Sequence, residues 1–125
     1  MKTFEEFLLE YSDDGSFSSD YVIEYIKGNT PNESDLPDYF LSLIAKSRKR
    51  FKRMEVDIDE VLEKDPSVKE YVESGEDRYK DEEPDNNDLY YPIVIFEDKV
   101  MDGYSRIAAL HRMGEKTITA YVSIR

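Results

Sequence analysis

The 125-residue chain contains no cysteine and no tryptophan, and its one histidine is His111. The absence of cysteine excludes disulfide bonds, thiolate metal sites and thiol nucleophiles, and it suits a reducing cytoplasm. Long apolar runs are also missing, because the apolar clusters of the acidic start, MKTFEEFLLEYSDD, are too short for a signal peptide or a membrane span. We therefore expect a cytoplasmic protein without a membrane partner.

Basic residues are in the minority, and the formal net charge is −12. Residues 46–53 (KSRKRFKR) hold six of the seventeen basic residues, whereas residues 54–90 hold fifteen acids against four bases. A molecule with this overall charge repels nucleic acid unless it presents a basic face. The charge therefore argues against nucleic acid as a partner. Sixteen Tyr and Phe residues nevertheless predict a folded chain rather than a disordered acidic one.

Hydrophobic periodicity predicts helices over about residues 4–11, over residues 19–27 with a stop at Gly28, and from residue 34 or 35 towards Phe51. Residues 54–58 alternate apolar with acidic side chains, as an edge strand does, and residues 59–64 and 66–74 fit short helices. We predict one α+β domain over residues 1–125. In it, an N-terminal helical lobe (residues 1–53) packs on a small mixed β-sheet in a core of residues 54–125.

The last third of the chain carries the most consistent signals. Residues 91–96 form an apolar run typical of a buried strand, a polar tip follows at 97–99, and Val100 and Met101 return as a short strand. Apolar residues then recur at helical spacing from Ser105 towards Gly114, and TITAYVSI (117–124) predicts a closing strand.

The turn between the second of these strands and the helix reads D-G-Y-S-R. Gly103 permits close approach of a ligand to the backbone, and the first amides of a helix favour an anion. Ser105 and Arg106 add donors that suit phosphate oxygens, and Asp102 is a candidate metal ligand or catalytic proton acceptor. The alternative is structural: Asp102 or Ser105 caps the helix and Arg106 is a solvated first-turn residue.

The run P-I-V-I…V-M-D-G-Y-S-R-I-A-A-L…M-G-E-K-T-I-T-A-Y-V resembles the ParB/sulfiredoxin superfamily over roughly Tyr91–Val122. The resemblance implies a ParB/sulfiredoxin-like fold, with a phosphate cradle formed by Gly103, Tyr104, Ser105 and Arg106. It also implies a nucleotide, ATP or CTP, bound with Mg²⁺, and a metal or proton role for Asp102. Phosphotransfer and nucleotide hydrolysis both occur in the superfamily, so the resemblance leaves the reaction open.

The chain departs from that pattern in several respects. Tyr104 stands where sulfiredoxins place their reactive cysteine, so their thiol chemistry is excluded. A chain of 125 residues also leaves little room for the DNA-reading domain of ParB clamps.

Two charged segments add alternatives. The run 46–53 fits either a solvated helix end or a contact to nucleic acid or a nucleotide, with Phe51 as a stacking residue. The acidic loop 76–88, which carries seven acids, fits a solvated insertion, a cation-binding loop or an imitation of nucleic-acid phosphates for a basic protein partner.

Three functions follow. The first is a nucleotide- or phosphate-binding module, with Mg-dependent phosphotransfer or hydrolysis as its chemistry. The second is a catalytically silent acidic protein-interaction module with a phage-like composition. The third, a nuclease, is the weakest because of the charge.

Overall fold

The computed structural model describes residues 15–29, 38–77, 79 and 91–124. These ranges contain five helices and five strands, which confirms the predicted α+β class. The strands are β1 (Ser16–Phe17), β2 (Arg50–Asp57), β3 (Ile93–Phe96), β4 (Lys99–Asp102) and β5 (Thr117–Ile124). The helices are α1 (Ser19–Asn29), α2 (Asp38–Ser47), α3 (Ile58–Lys64), α4 (Pro66–Ser74) and α5 (Tyr104–Arg112).

The strands form one mixed sheet in the order β1-β2-β5-β3-β4. Its centre is the antiparallel pair of β2 and β5, which runs from Arg50 opposite Ile124 to Asp57 opposite Thr117. β3 and β4 form a hairpin, and α5 then carries the chain across to β5, which pairs with β3 in parallel. This connection puts the turn between β4 and α5 beside the start of β3.

Successive strand residues point to opposite sides of the sheet, so both faces carry apolar side chains. Helices cover each of these faces. On one face α1 and α2 pack against β2, β3 and β5; the buried residues there are Phe17, Val22, Ile23, Ile26, Ile44, Phe51, Val94, Phe96 and Tyr121. On the other face α3, α4 and α5 pack against the sheet, with Ile58, Val61, Val68, Ile93, Ile95, Ile107, Leu110, Ile118 and Ala120 among the buried residues. α1 and α2 of the predicted N-terminal lobe thus cover one face of the sheet, but β1 and the first four residues of β2, which also fall within residues 1–53, are strands of the sheet itself.

The basic run is not the end of a helix, as the sequence predicted. α2 stops at Ser47, and the run continues into β2 from Arg50. Phe51 is fully buried in the core and is therefore not available to stack on a base. Gly28 likewise lies inside α1 rather than ending it. The helix predicted over residues 4–11, and most of the acidic loop 76–88, lie outside the described residues.

Two aspartates fix the helices that follow β2. Asp57 caps α3 by accepting from the amide of Glu60, and Asp65 caps α4 by accepting from the amide of Ser67. Asp65 is buried, and its second carboxylate oxygen accepts from the amide of Val100 at 2.9 Å. The Val100 amide at the β4 edge therefore already has an acceptor, which protects this edge against pairing with another strand.

Candidate functional site

The residues that the sequence assigned to anion binding lie together at the turn from β4 into α5. β4 ends at Asp102, Gly103 adopts a left-handed conformation with φ of 110°, and α5 begins at Tyr104. No side chain caps α5. The turn that the sequence predicted is therefore present, and its chemistry depends on where the side chains point.

Gly103 is in close contact with the protein itself. A Cβ atom at this position would lie 2.3 Å from Cγ2 of Ile93 and 3.3 Å from Nη2 of Arg106. Glycine is required here for two reasons: its φ value strains any residue with a side chain, and the buried first residue of β3 occupies the adjacent space. The space beside Gly103 is filled by Ile93 rather than kept clear for a ligand.

Arg106 points into the molecule. Its Nη1 donates to the backbone carbonyls of Tyr91 at 2.7 Å and Pro92 at 2.9 Å, and its Nη2 donates to Oδ2 of Asp102 at 2.9 Å. Its side chain is 10% exposed and that of Asp102 is 11% exposed. The guanidinium thus ties the segment before β3 to the end of β4, and the alternative of a solvated first-turn arginine is wrong.

Asp102 is the anion that pairs with the Arg106 guanidinium; this pair and the bonds of Arg106 to the Tyr91 and Pro92 carbonyls are called the clamp below. Burial raises the pKa of its carboxyl group, while the charge and hydrogen bond of Arg106 and the amide of Gly103 act in the opposite direction. An isolated buried carboxylate is strongly disfavoured, so the negative charge of Asp102 depends on Arg106. This carboxylate already accepts a hydrogen bond from the Arg106 guanidinium.

Ser105 and Tyr104 contact α4. The hydroxyl groups of Ser105 and Tyr71 lie 2.8 Å apart, and the rings of Tyr104 and Tyr71 meet edge to face at 5.5 Å. Burial, and then the charge of Asp65, raise the pKa of the Tyr104 phenol. Both side chains therefore help to hold α5 against α4.

Of the groups that would hold a nucleotide, the backbone amides at the start of α5 fit best. The guanidinium of Arg106 and the hydroxyl of Ser105 already have partners within the protein, so the residues fit a phosphate held by amides and not one held by the arginine fork. For Mg²⁺ the fit is poor, because the Asp102 carboxylate, which would be its ligand, is buried and already accepts from the Arg106 guanidinium.

Sequence reasoning also missed the ion pair between Asp77 and Arg112. Asp77 is buried and forms a bidentate salt bridge with Arg112 at the end of α5. Nη1 and Nη2 of Arg112 donate to Oδ1 and Oδ2 of Asp77 at 2.8 and 2.9 Å. The hydrogen bond from Arg112 lowers the pKa of Asp77. No local pattern in the sequence pairs Arg112 with an acid 35 residues away. His111 is exposed.

Comparisons with protein-family models, with curated proteins and with solved structures found no match to this chain. The ParB/sulfiredoxin resemblance therefore stays a prediction from the sequence. Within the described ranges, no helix combines the length and the apolar character needed to cross a membrane.

Replacement of Gly103 by alanine should lower the free energy of unfolding by about 3 kcal/mol, because left-handed strain and a clash with Ile93 add together. Gly75→Ala is the matched control, since Gly75 has a φ of 68° but nothing within 4 Å of an added Cβ. Strain alone should make that change cost about 1 kcal/mol. Urea unfolding of both variants measures the difference; equal losses would contradict the close packing described at Gly103.

Proposed function

We propose that this protein is a catalytically silent, acidic interaction module that binds a basic protein partner. The observation that carries the proposal is the internal use of Arg106, whose guanidinium makes three hydrogen bonds to the protein's own oxygens. With Ser105 also paired, the motif that suggested catalysis acts as a structural joint. The remaining chemistry of the molecule then lies in its charged surface.

The acidic surface is formed by α3 and α4, which pack side by side on one face of the sheet. We call their exposed acids the acidic face: Asp59, Glu60, Glu63, Glu70 and Glu73. From Asp57 to Asp77 the chain carries nine acids and two lysines. One of those lysines, Lys64, pairs with Glu60 at 3.1 Å. Unneutralised acids at this density attract a basic partner over long range and steer its approach.

The same charge continues along the sequence. Glu76 is exposed just beyond α4, and acids follow through Asp88. A basic surface that binds nucleic-acid phosphates would find comparable charge here, which supports a role as a nucleic-acid mimic for such a partner. A cytoplasmic location and a phage-like origin belong to this proposal, and they rest on the cysteine-free acidic composition.

The direct test is competition between this protein and duplex DNA for a basic DNA-binding protein, with core histones as the first probe. Fluorescence polarisation of labelled DNA reports displacement. The variant Glu63→Lys/Glu70→Lys should displace DNA at least about tenfold less well, because two close charge pairs turn repulsive. Asp20→Lys/Glu24→Lys on α1 changes exposed acids by the same net charge and should have little effect.

If both variants lost the same ability to displace DNA, the effect would come from net charge alone. The acidic face would then not be a specific binding site. No displacement by the unaltered protein would argue against a partner with nucleic-acid-binding chemistry.

A second candidate function is phosphate or nucleotide binding at the start of α5. The observation in its favour is the uncapped first turn of this helix, where Tyr104 and Ser105 follow a glycine. Amides in this position attract an anion without help from a side chain. In this proposal Asp102 remains paired with Arg106, and the phosphate lies against the backbone.

Calorimetric titration with CTP, ATP and their diphosphates, with and without Mg²⁺, tests this candidate. Under this proposal nucleotide binds, Ser105→Asp weakens it at least about tenfold because a carboxylate competes for the first-turn amides, and Lys116→Ala, at an exposed site outside the turn, leaves it unchanged. No heat with any of these nucleotides would exclude them as ligands of the turn.

A further inference from the structure

The outer edge of β2 is covered along only part of its length. β1 pairs with it at two positions, Ser16 opposite Lys52 and Phe17 opposite Phe51. Gly15, with φ of 77°, then turns the chain out of the strand conformation. From Arg53 to Asp57, β2 pairs with β5 on its inner side, and no strand of the described ranges lies on its outer side.

The opposite edge of the sheet, formed by β4, is protected against pairing with further strands. The outer edge of β2 differs from it in this respect. β4 has only four residues, its pairing with β3 is irregular near Ile95, and Asp65 accepts from its Val100 amide. Proteins commonly guard sheet edges with short strands, bulges and blocked amides, because an open edge recruits further strands. The described residues 53–57 of β2 have no bulge and no amide that is paired with a side-chain acceptor on the outer side.

Charged side chains also commonly protect the edges of sheets, but those of Arg53 and Glu55 lie toward β5. Arg53 lies opposite Tyr121, and the Glu55 carboxylate accepts from the Thr119 hydroxyl. Both partners lie on β5, on the inner side of β2. The Arg53 and Glu55 side chains therefore lie over one face of the sheet, where they do not cover the backbone edge and where the same face of an added strand would meet them.

The sequence of the segment complements itself in the antiparallel direction. A two-fold axis at Glu55 would place Arg53 opposite Asp57 of a second copy, and Met54 opposite its Val56. This register uses all five uncovered positions and places Asp57 of the second copy next to Ser16, so it requires the chain before Ser16 to leave the edge at the Gly15 bend. Shifts toward residue 52 would displace β1, and shifts toward residue 58 would meet the start of α3.

We propose that a second copy of this chain adds to the outer edge of β2, antiparallel and centred on Glu55, to give a continuous ten-stranded sheet. This interface is separate from the acidic face and from the turn at Gly103. Met54 and Val56 are only partly buried in the single chain, and Val56 packs against the core cluster under α3 to α5. In the dimer their four side chains would extend that cluster across the axis.

One contact opposes association, and it gives the proposal a directional test. The two Glu55 side chains would face each other across the axis, and like charges directly opposite each other destabilise a strand pair. Glu55→Gln removes this repulsion while the amide oxygen can still accept from Thr119. The change should therefore tighten the dimer, which few surface substitutions do by chance.

Sedimentation velocity over a range of protein concentrations is the measurement. The unaltered chain should shift from its 14.7 kDa monomer towards twice that mass, with a dissociation constant on the order of 100 µM for so short an interface. Glu55→Gln should tighten it several-fold. Arg53→Glu, which places like charges opposite each other twice, should weaken it about tenfold.

Lys52→Glu is the matched control for Arg53→Glu. It makes the same charge change one residue away, at a position already paired with Ser16, and should leave the dissociation constant within about twofold. A chain that stays monomeric at all concentrations would overturn the proposal and leave this edge to another occupant. Equal weakening by Arg53→Glu and Lys52→Glu, or no tightening by Glu55→Gln, would overturn the proposed register.

Discussion

The buried guanidinium of Arg106 is the contact on which the arrangement of the C-terminal half depends. It joins the carbonyls of Tyr91 and Pro92, which lead into β3, to Asp102, which ends β4, and it does so from the first turn of α5. Three consecutive elements are thereby held at one point. A buried ion pair with good geometry contributes modestly in total, but loss of one partner leaves the other uncompensated in a dry environment.

This clamp explains why the turn has two plausible interpretations from sequence alone. A glycine followed three residues later by an arginine suits an anion site, and it equally suits a joint in which the arginine needs close backbone carbonyls. The acceptors on Tyr91 and Pro92 belong to main-chain atoms that no residue pattern reveals. Likewise, the need for glycine at 103 comes from Ile93, ten residues earlier, which only the fold brings close.

Local signals predicted much of the fold and failed where tertiary contacts decide. The strand at Thr117–Ile124 and the helix at Pro66–Ser74 were predicted with their observed bounds, since periodicity and the Pro and Gly at the helix ends agreed. The start of β2 was missed because KSRKRFKR has the charge pattern of a solvated helix end. Its strand conformation is set by eight paired positions on β5 and by the burial of Phe51.

A double-mutant cycle of Asp102→Ala and Arg106→Met, measured by urea unfolding, tests the internal clamp most directly. The described geometry predicts that the single changes each cost about 3 kcal/mol and that the double change costs at least about 2 kcal/mol less than their sum. Near-additive losses, with a coupling below about 0.5 kcal/mol, would show that the two side chains do not depend on each other. Arg106 would then be available for a ligand, and the anion site would again be the better explanation of the turn.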